Sequence, residues 1–314
     1  MVGGGDIEGL RMTDAQFRMF AELLRQRCGL HFSSDARFLL EKRVARRVRE
    51  LDLQSFSAYH YEVRSGSSGD SEFARLVDEL TTNETYFFRE RSQLRALVGE
   101  IIPEALLRRR TGAHGPVSIW SAGCSSGEEP YSIVMLALEA ELRPGVDFRV
   151  YAADISRTML RRARRGVYRA TSFRETEDIL RHRYFVEKDG AWRISDDVKK
   201  HVDFIHLNLV NRSKIALLAS MDVILCRNVI IYFDAATKKE VIGTFYEKLR
   251  PGGHLLLGHA ESLINLSSAF ELRHLREDLV YRRPLPGMEL RGSWNDATAH
   301  AIEDVERRGG IGGL

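Results

Sequence analysis

Residues 120–131 read Trp120-Ser121-Ala122-Gly123-Cys124-Ser125-Ser126-Gly127-Glu128-Glu129-Pro130-Tyr131, and this stretch decides the fold. It follows a predicted strand at Val117 to Trp120, and a helix is predicted from Pro130. The small residues between strand and helix let a ligand approach the backbone beside the exposed N–H groups of the helix start. A tight turn without a ligand remains the alternative.

Strands and helices alternate along the chain beyond this loop. The predicted strands are 148–153 ending at Asp154, 202–207 ending at Asn208, 221–225 ending near Arg227-Asn228, 254–258 and an antiparallel 279–282. A helix at 235–249 is predicted to stop at Pro251-Gly252-Gly253. This alternation indicates an α/β fold with a parallel, doubly wound sheet of the Rossmann-like kind.

Two regions depart from the alternation. Residues 13–80 read as helices, with Thr13 as an N-cap and a second cap signal at Ser33-Ser34-Asp35. Residues 184–194 read as a small antiparallel hairpin around the turn Lys188-Asp189-Gly190.

The sequence therefore predicts a chain of several parts. We expect a flexible N-terminus (1–10), a helical domain (11–91), an α/β domain (92–283) with a β-hairpin insert at about 182–200, and a disordered tail (284–314) that is polar and Gly-rich. Ser65-Gly66-Ser67-Ser68-Gly69 reads as a flexible loop inside the helical domain.

Composition is that of a soluble globular protein, since 44% of the 314 residues are apolar and 29% are charged. No apolar run is long enough to span a membrane, and the N-terminus lacks the pattern of a signal peptide, so a cytoplasmic protein is expected. The three cysteines have no metal-ligand spacing, and we expect reduced thiols and no metal site.

The chemistry of the loop at 120–131 favours a nucleoside cofactor without phosphates. Its spacing is not the GxGxxG of dinucleotide folds, and its two carboxylates, Glu128 and Glu129, would repel a pyrophosphate. They suit instead the cationic amino and sulfonium groups of S-adenosylmethionine.

Polar residues at the other strand ends extend this prediction. Asp154 is placed to accept hydrogen bonds from two ribose hydroxyls, and Asn208 and Tyr232 are placed to contact the edge and face of an adenine. A helix-capping Asp, a turn-forming Asn and a half-buried Tyr are the alternatives for these positions.

Three motifs resemble those of the CheR methyltransferase family. Thr81-Thr82-Asn83-Glu84-Thr85-Tyr86-Phe87-Phe88-Arg89-Glu90 resembles its TTN-x-T-x-FFR signature, and the stretch 120–131 resembles its W-S-A-x-C-S-x-G-E-E-P-Y-S loop. Cys226-Arg227-Asn228-Val229-Ile230-Ile231-Tyr232-Phe233-Asp234 resembles its C-R-N-V-x-I-Y-F motif. The resemblance covers roughly residues 13–283.

The resemblance implies an S-adenosylmethionine-dependent protein-glutamate O-methyltransferase that acts on chemoreceptors in chemotaxis. It also implies a set of cofactor contacts: Asn83, Thr85, Arg89, Glu128, Glu129 (the favoured one of the pair), Asp154, Asn208, Leu209, Arg227, Asn228 and Tyr232. Phe87 and Phe88 are expected in the core.

Transfer of a methyl group to a glutamate carboxylate needs no general base, because that carboxylate is already ionised at neutral pH. Arg89 is the candidate catalytic residue, with the role of orienting the substrate carboxylate. Two other functions stay open: a methyltransferase for a small molecule or RNA, and a cofactor-binding signalling or adaptor module without turnover.

A basic helix is the candidate docking surface for the acidic helical bundle of a chemoreceptor. Its arginines are Arg43, Arg46, Arg47 and Arg49, and a solvated helix face is the alternative. Nucleic acid is a weaker candidate partner, since no aromatic residues interleave with these arginines.

The hairpin insert matches the small β-subdomain of the family, which in some members binds a receptor's C-terminal pentapeptide as an added strand. The short turn at Lys188-Asp189-Gly190 departs from those members, so we expect no such tethering here. A monomer is expected.

Overall fold

The computed structural model describes residues 11–65, 69–81, 84–110 and 115–287. The predicted flexible N-terminus (1–10), the loop residues 66–68, Asn83 and the tail beyond 287 lie outside the described residues. Among the helices that are described, none is both long enough and apolar enough to cross a membrane.

Helices form the first part of the chain, as predicted. They are α1 (Asp14–Cys28), α2 (Arg37–Glu50), α3 (Phe56–Ser65) and α4 (Gly69–Leu80), and one 3₁₀ turn at Ser34–Ala36 precedes α2. Thr13 caps α1 through a complete capping box with Gln16. Phe20, Leu24 and Val44 are fully buried in a core that these helices build among themselves.

A helical segment for which the sequence predicted no element joins this part to the sheet. It comprises α5 (Arg91–Ala96), a π-helical turn (Leu97–Ile101) and α6 (Ile102–Arg110). Phe87 and Phe88 precede it and are fully buried, as predicted.

The remaining elements alternate between strands and helices. The strands are β1 (Val117–Ala122), β2 (Phe148–Asp154), β3 (Val167–Tyr168), β4 (Phe185–Lys188), β5 (Ala191–Ile194), β6 (Val202–His206), β7 (Met221–Cys226), β8 (Leu249–Leu257), β9 (Glu271–His274) and β10 (Leu279–Arg282). The helices are α7 (Glu128–Glu139), α8 (Arg157–Arg165), α9 (Asp178–Tyr184), α10 (Asp196–Lys199), α11 (Arg212–Ala216) and α12 (Ala235–Lys248).

The main sheet has the order β6-β2-β1-β7-β8-β10-β9 within the described residues. Its first five strands are parallel, and β10 runs antiparallel to both β8 and β9. Two apolar cores flank it, so the predicted α/β class is confirmed. The order reverses at β1, and the loops that leave β1 and β7 open a crevice at their carboxyl ends, where such folds bind ligands.

The predicted strand at 254–258 starts earlier in the structure. Helix α12 ends at Lys248, and β8 begins at Leu249 and runs through Pro251-Gly252-Gly253. Met221 pairs with Leu249 but Val223 pairs with His254, so a register shift absorbs the Pro-Gly-Gly segment as a bulge. The Pro-Gly-Gly segment, which was predicted to stop a helix, therefore lies inside an irregular strand and not in a loop.

The insert forms a second sheet of the order β3-β5-β4. Asp189 and Gly190 both have positive φ, at 53° and 69°, so the two-residue turn has the geometry that the Asp-Gly pair predicts. The predicted hairpin is confirmed, and the short β3 was missed because two residues carry no periodicity.

Arg47 does not belong to an exposed basic face, which corrects the prediction for the α2 arginines. It is 8% exposed and donates from Nε and Nη2 to the two carboxylate oxygens of Glu72 in α4, at 2.8 and 2.9 Å. The Tyr59 hydroxyl donates to the same carboxylate at 2.9 Å. Arg47 thus joins α2, α3 and α4 and is occupied inside the helical domain.

The buried position of Arg47 generates a stability prediction. Arg47→Ala is expected to lower the free energy of unfolding by about 3 kcal/mol, because it leaves the Glu72 carboxylate buried without its guanidinium. Arg49→Ala, on the exposed side of the same helix, is the control and is expected to change it by about 0.5 kcal/mol or less. Equal urea midpoints for the two variants would contradict this account.

Candidate functional site

A cavity lies at the carboxyl ends of the parallel strands, and its empty space, counted together with the open solvent at its mouth, is about 1,020 Å³. Four parts of the chain line it: the end of α1, the linker between α4 and α5 (81–90, of which 81 and 84–90 are described), the loop after β1, and the ends of β2, β6 and β7. Because α1 and the linker supply one wall and the ends of the strands supply the others, the cavity exists only when both are in place.

Glycines let the loop after β1 turn under the cavity. Gly123 has φ +87°, and a Cβ there would lie 2.4 Å from Cγ2 of Val229. Gly127 has φ +94°, and a Cβ there would lie 2.9 Å from Cβ of Ala163. The loop therefore packs tightly against the β7 loop on one side and α8 on the other, and it tolerates no side chain at these two positions.

Arg227 sits at the centre of the site. Its Nη1 lies 3.1 Å from Oε2 of Glu129, and its Nη2 lies 3.1 Å from Oε2 of Glu90. Nη2 also donates to the backbone carbonyl of Arg89. The Arg227 side chain is 2% exposed, so one buried guanidinium joins β7, the loop after β1 and the linker.

Glu129 is held from two sides. Ser121 Oγ donates to its Oε1 at 2.6 Å, while Oε2 accepts from Arg227. Its side chain remains 16% exposed and lines the cavity. The neighbouring Glu128 does not line it; that carboxylate is buried and accepts from the hydroxyls of Ser126 and Ser172.

Asp154 ends β2 and lines the cavity. Burial raises the pKa of this carboxyl above its ordinary value. Hydrogen bonds from the N–H groups of Ser156 and Ser125 act in the opposite direction and lower this pKa. Each carboxylate oxygen accepts one of those N–H bonds, which leaves each with further acceptor capacity for a ligand hydroxyl.

The wall from α1 is tied to the sheet by hydrogen bonds. Asn208 Nδ2 donates to the carbonyl of Arg27 at 2.6 Å, and the N–H of His31 donates to the carbonyl of Tyr232 at 2.9 Å. Asn208, Leu209 and Tyr232 line the cavity beside this wall. Asn208, which was predicted to contact the edge of an adenine, thus uses its amide nitrogen to hold α1 against the sheet.

The linker contributes Thr85 and Arg89 to the lining. Arg89 Nη1 donates to the carbonyl of Glu84 at 3.1 Å, and its guanidinium lies 5.7 Å from the ring centroid of Tyr86. Across the described part of the chain, no carboxylate forms an ion pair with Arg89, although the carboxylate of Glu84, which pairs with Arg174, is close enough to interact with its charge.

The structure brings nine of the predicted cofactor contacts together around one cavity. These are Thr85, Arg89, Glu129, Asp154, Asn208, Leu209, Arg227, Asn228 and Tyr232. Glu128 lies behind the lining, and Asn83 is outside the described residues. The α2 arginines do not line the cavity.

Glu261 is a residue that the sequence reasoning missed. Its carboxylate accepts from the backbone N–H groups of Asn228, Val229 and Gly258 at 2.7, 3.0 and 2.8 Å, and from that of Ile231 at 3.3 Å. Asn228 has φ +59°, so the loop after β7 is held in a conformation that needs this support. An acid 33 residues away in sequence gives no local signal of such a role.

Burial disfavours the thiolate form of the cysteines near the cavity. Burial raises the pKa of the Cys124 and Cys226 thiols well above their ordinary value, and that of Cys28 to about 12. Among the residues that the structure describes, no three His, Cys, Asp or Glu side chains cluster as metal ligands would.

Comparison with family models places most of the chain in one group. Residues 83–278 match the model described as "CheR methyltransferase, SAM binding domain", and residues 15–81 match "CheR methyltransferase, all-alpha domain".

Curated relatives match over nearly their full length. A protein named chemotaxis protein methyltransferase 2 from Vibrio cholerae is 39% identical over 278 residues, which is 88% of this chain and 95% of the relative. The chemotaxis protein methyltransferase of Escherichia coli is 35% identical over 271 residues, 85% of this chain and 91% of the relative.

Among solved structures, the N-methyltransferase NodS from Bradyrhizobium japonicum in complex with S-adenosyl-L-homocysteine resembles 64% of this chain and 90% of its own, with 18% identity and a TM-score of 0.34. The family models and the curated relatives, and not this weak likeness, carry the assignment.

The lining fits S-adenosylmethionine, the cofactor of the matching domain. Asp154 offers acceptors for paired hydroxyls, and Glu129 offers a carboxylate for a cationic group. Ser125 lines the cavity, and its buried hydroxyl has no hydrogen-bond partner among the described residues.

The role of Glu261 generates a prediction about the loop after β7. Glu261→Ala is expected to lower the free energy of unfolding by about 2–3 kcal/mol and to speed amide exchange at residues 228–232, because four N–H groups lose a charged acceptor. Glu247→Ala, an exposed acid paired with Arg212, is the control and should leave both quantities unchanged. Unaltered exchange at 228–232 in Glu261→Ala would show that the loop is held by other contacts.

Proposed function

The chain belongs to the CheR methyltransferase family, and from that premise we propose that it transfers the methyl group of S-adenosylmethionine to glutamate side chains of a chemoreceptor, forming γ-glutamyl methyl esters. Membership makes the chain a methyltransferase with S-adenosylmethionine as cofactor. The glutamate as acceptor group and the receptor as partner belong to the proposal.

One observation carries the proposal for the acceptor: the cavity pairs acids that suit the cofactor with an arginine that is free to bind an anion. Glu129 and Asp154 line one part of the cavity, and Arg89 enters it from the linker without an ion-pair partner among the described residues. A carboxylate substrate supplies the charge that Arg89 lacks.

The chemistry requires little from the protein beyond position. The bound cofactor supplies an electrophilic methyl group on a sulfonium, and a glutamate carboxylate with a reference pKa of about 4.3 is already a nucleophile at neutral pH. No residue needs to remove a proton from the acceptor, so the reaction requires no general base among the residues that line the cavity.

Arg89 would orient the substrate carboxylate with one oxygen bonded and the other free. A water-poor site would favour the step, because a cation and an anion combine and water stabilises the separated charges more than the transition state. The Arg227 bridge holds the linker in place for this purpose.

The other lining residues would hold the cofactor. We assign Asp154 to the ribose hydroxyls, Glu129 rather than Glu128 to the amino group, and Tyr232, Leu209 and Asn208 to the adenine side. Thr85, Arg227 and Asn228 complete this set, and Asn83 remains a prediction from the motif.

The partner would dock in part on the exposed arginines of α2. Arg43, Arg46 and Arg49 keep this proposed role, with Glu50 and Glu79 close to two of them, and Arg47 is removed from it. Docking is proposed to be independent of a receptor C-terminal pentapeptide, on the strength of the two-residue hairpin turn.

The test of the proposed function is methyl transfer to a receptor cytoplasmic fragment. The protein is incubated with methyl-labelled S-adenosylmethionine and the fragment, and the product is treated with mild base. Label released as methanol supports a carboxyl methyl ester. Base-stable label, or none on any receptor fragment while the cofactor binds, would overturn the proposal.

Two adjacent carboxylates provide a matched test of the cofactor assignment. Glu129→Gln is expected to raise the Kd for S-adenosylmethionine about tenfold, a loss of about 1.4 kcal/mol, because a cationic group loses its carboxylate. Glu128→Gln, an equal change behind the lining, is expected to alter the Kd by less than about threefold. Titration calorimetry measures both, and the reverse order would place the amino group at Glu128.

The role of Arg89 is tested by separating binding from turnover. Arg89→Ala is expected to lower kcat for methyl transfer about 100-fold, because the substrate carboxylate is no longer aligned. Cofactor affinity should fall by a much smaller factor, because Arg89 is only one of the nine predicted cofactor contacts that line the cavity. Arg174→Ala is the control. The Arg174 guanidinium lies 3.7 Å from the ring centroid of Tyr86, next to Arg89, but Arg174 does not line the cavity. Unchanged methyl transfer in Arg89→Ala would remove its catalytic assignment.

A further inference from the structure

Helix α8 presents a face made almost wholly of arginine. Five of its nine residues are exposed arginines: Arg157, Arg161, Arg162, Arg164 and Arg165. The helix buries Met159, Leu160 and Ala163 against the sheet, so the arginines occupy the side turned to solvent.

No carboxylate in the described part of the chain forms an ion pair with any of these five arginines. The acids packed near the helix have other partners: Asp78 of α4 accepts from the hydroxyls of Ser156 and Thr158, and Glu128 accepts from those of Ser126 and Ser172. Arg161 donates to the Thr158 hydroxyl, and Arg164 donates to the carbonyl of Phe204.

The arginines of α2 differ from those of α8 because most of them have ion-pair partners. There Arg43, Arg46 and Arg47 all have ion pairs with Glu50, Glu72 or Glu79. The sequence suggested α2 as the basic surface, but the structure leaves the larger block of uncompensated charge on α8.

The spacing of the α8 arginines suits a helical partner. Arg157, Arg161 and Arg165 follow one another at intervals of four residues, so they form a ridge with a rise of about 6 Å between neighbours. Acids spaced four residues apart on a second helix have the same rise and would meet each arginine in turn.

The helix also begins at the site. Ser156 caps α8 two residues after Asp154, and Ile155 lines the cavity. A partner helix that lies along α8 therefore passes the cavity rim, where one of its glutamates would enter.

We propose that the arginine face of α8 is a docking surface for an acidic helix of the methyl-accepting protein, with carboxylates at intervals of four residues paired to Arg157, Arg161 and Arg165. This rests on the proposed function for the identity of the partner. Electrostatic attraction raises the association rate and fixes the register in which a glutamate reaches the cavity.

The experiment measures binding and methylation separately. The double variant Arg161→Glu/Arg165→Glu and the control Arg149→Glu/Lys239→Glu, which changes exposed charges elsewhere by the same amount, are compared with the wild-type chain. Fluorescence anisotropy gives the Kd for a labelled receptor cytoplasmic fragment, calorimetry gives cofactor affinity, and methyl incorporation is assayed in parallel.

The α8 double variant is expected to bind the fragment at least tenfold more weakly, with a loss that shrinks as salt rises from 0.05 to 0.3 M, and with cofactor affinity unchanged. The control should stay within about twofold of wild type, and Arg161→Lys/Arg165→Lys should keep most of the affinity. Fragment binding that depends on α8 but leads to no methylation would support the docking surface and refute the proposed function.

Several results would overturn the docking proposal. These are fragment affinity in the α8 variant within twofold of wild type, an equal loss in the control, or no fragment binding by the wild-type chain. If the wild-type chain binds phosphatidylserine vesicles and the α8 variant does not, while both bind the fragment equally, the arginine face would be assigned to a lipid surface instead.

Discussion

The buried guanidinium of Arg227 is the interaction on which the rest of the site depends. It is charged, 2% exposed in its side chain, and compensated by Glu129 on one side and Glu90 on the other. Removing one partner from such a network costs several kcal/mol, so the three segments that meet there are fixed relative to one another. Because Glu90 belongs to the linker and Glu129 to the loop after β1, this single residue couples the wall over the cavity to its floor.

The same chain uses its charges in two distinct ways. Inside, each guanidinium or carboxylate is committed: Arg47 to Glu72, Arg227 to its two acids, and Glu261 to four backbone N–H groups. These groups fix backbone positions around the cavity and among helices α2, α3 and α4. Outside, the arginines of α8 stay uncompensated, and long-range attraction is the property that they retain. The division explains why net charge, at only +3, says little about where a partner binds.

The sequence predicted the fold class and most strand ends correctly, because alternation of apolar strands with capped helices is a local signal. It also singled out nine of the residues that line the cavity. Seven of them lie at or just after the ends of β1, β2, β6 and β7, whereas Thr85 and Arg89 were named from the motif resemblance. It failed where the determining contact is distant in sequence. Arg47 reads as a surface arginine until α4 places Glu72 against it, and nothing near Glu261 indicates that it holds the loop after β7. The start of β8 was misplaced because Pro-Gly-Gly marks a bulge in this sheet.

The most direct test of the central claim is calorimetric titration of the intact chain and of Arg227→Met with S-adenosylmethionine. We expect one site per wild-type chain and a loss of at least about tenfold in affinity for Arg227→Met, with the variant still folded by circular dichroism, because the linker is no longer tied to the strand ends. Wild-type protein that takes up no cofactor, or a variant that binds it as tightly as wild type, would contradict the claim that one buried arginine assembles the site.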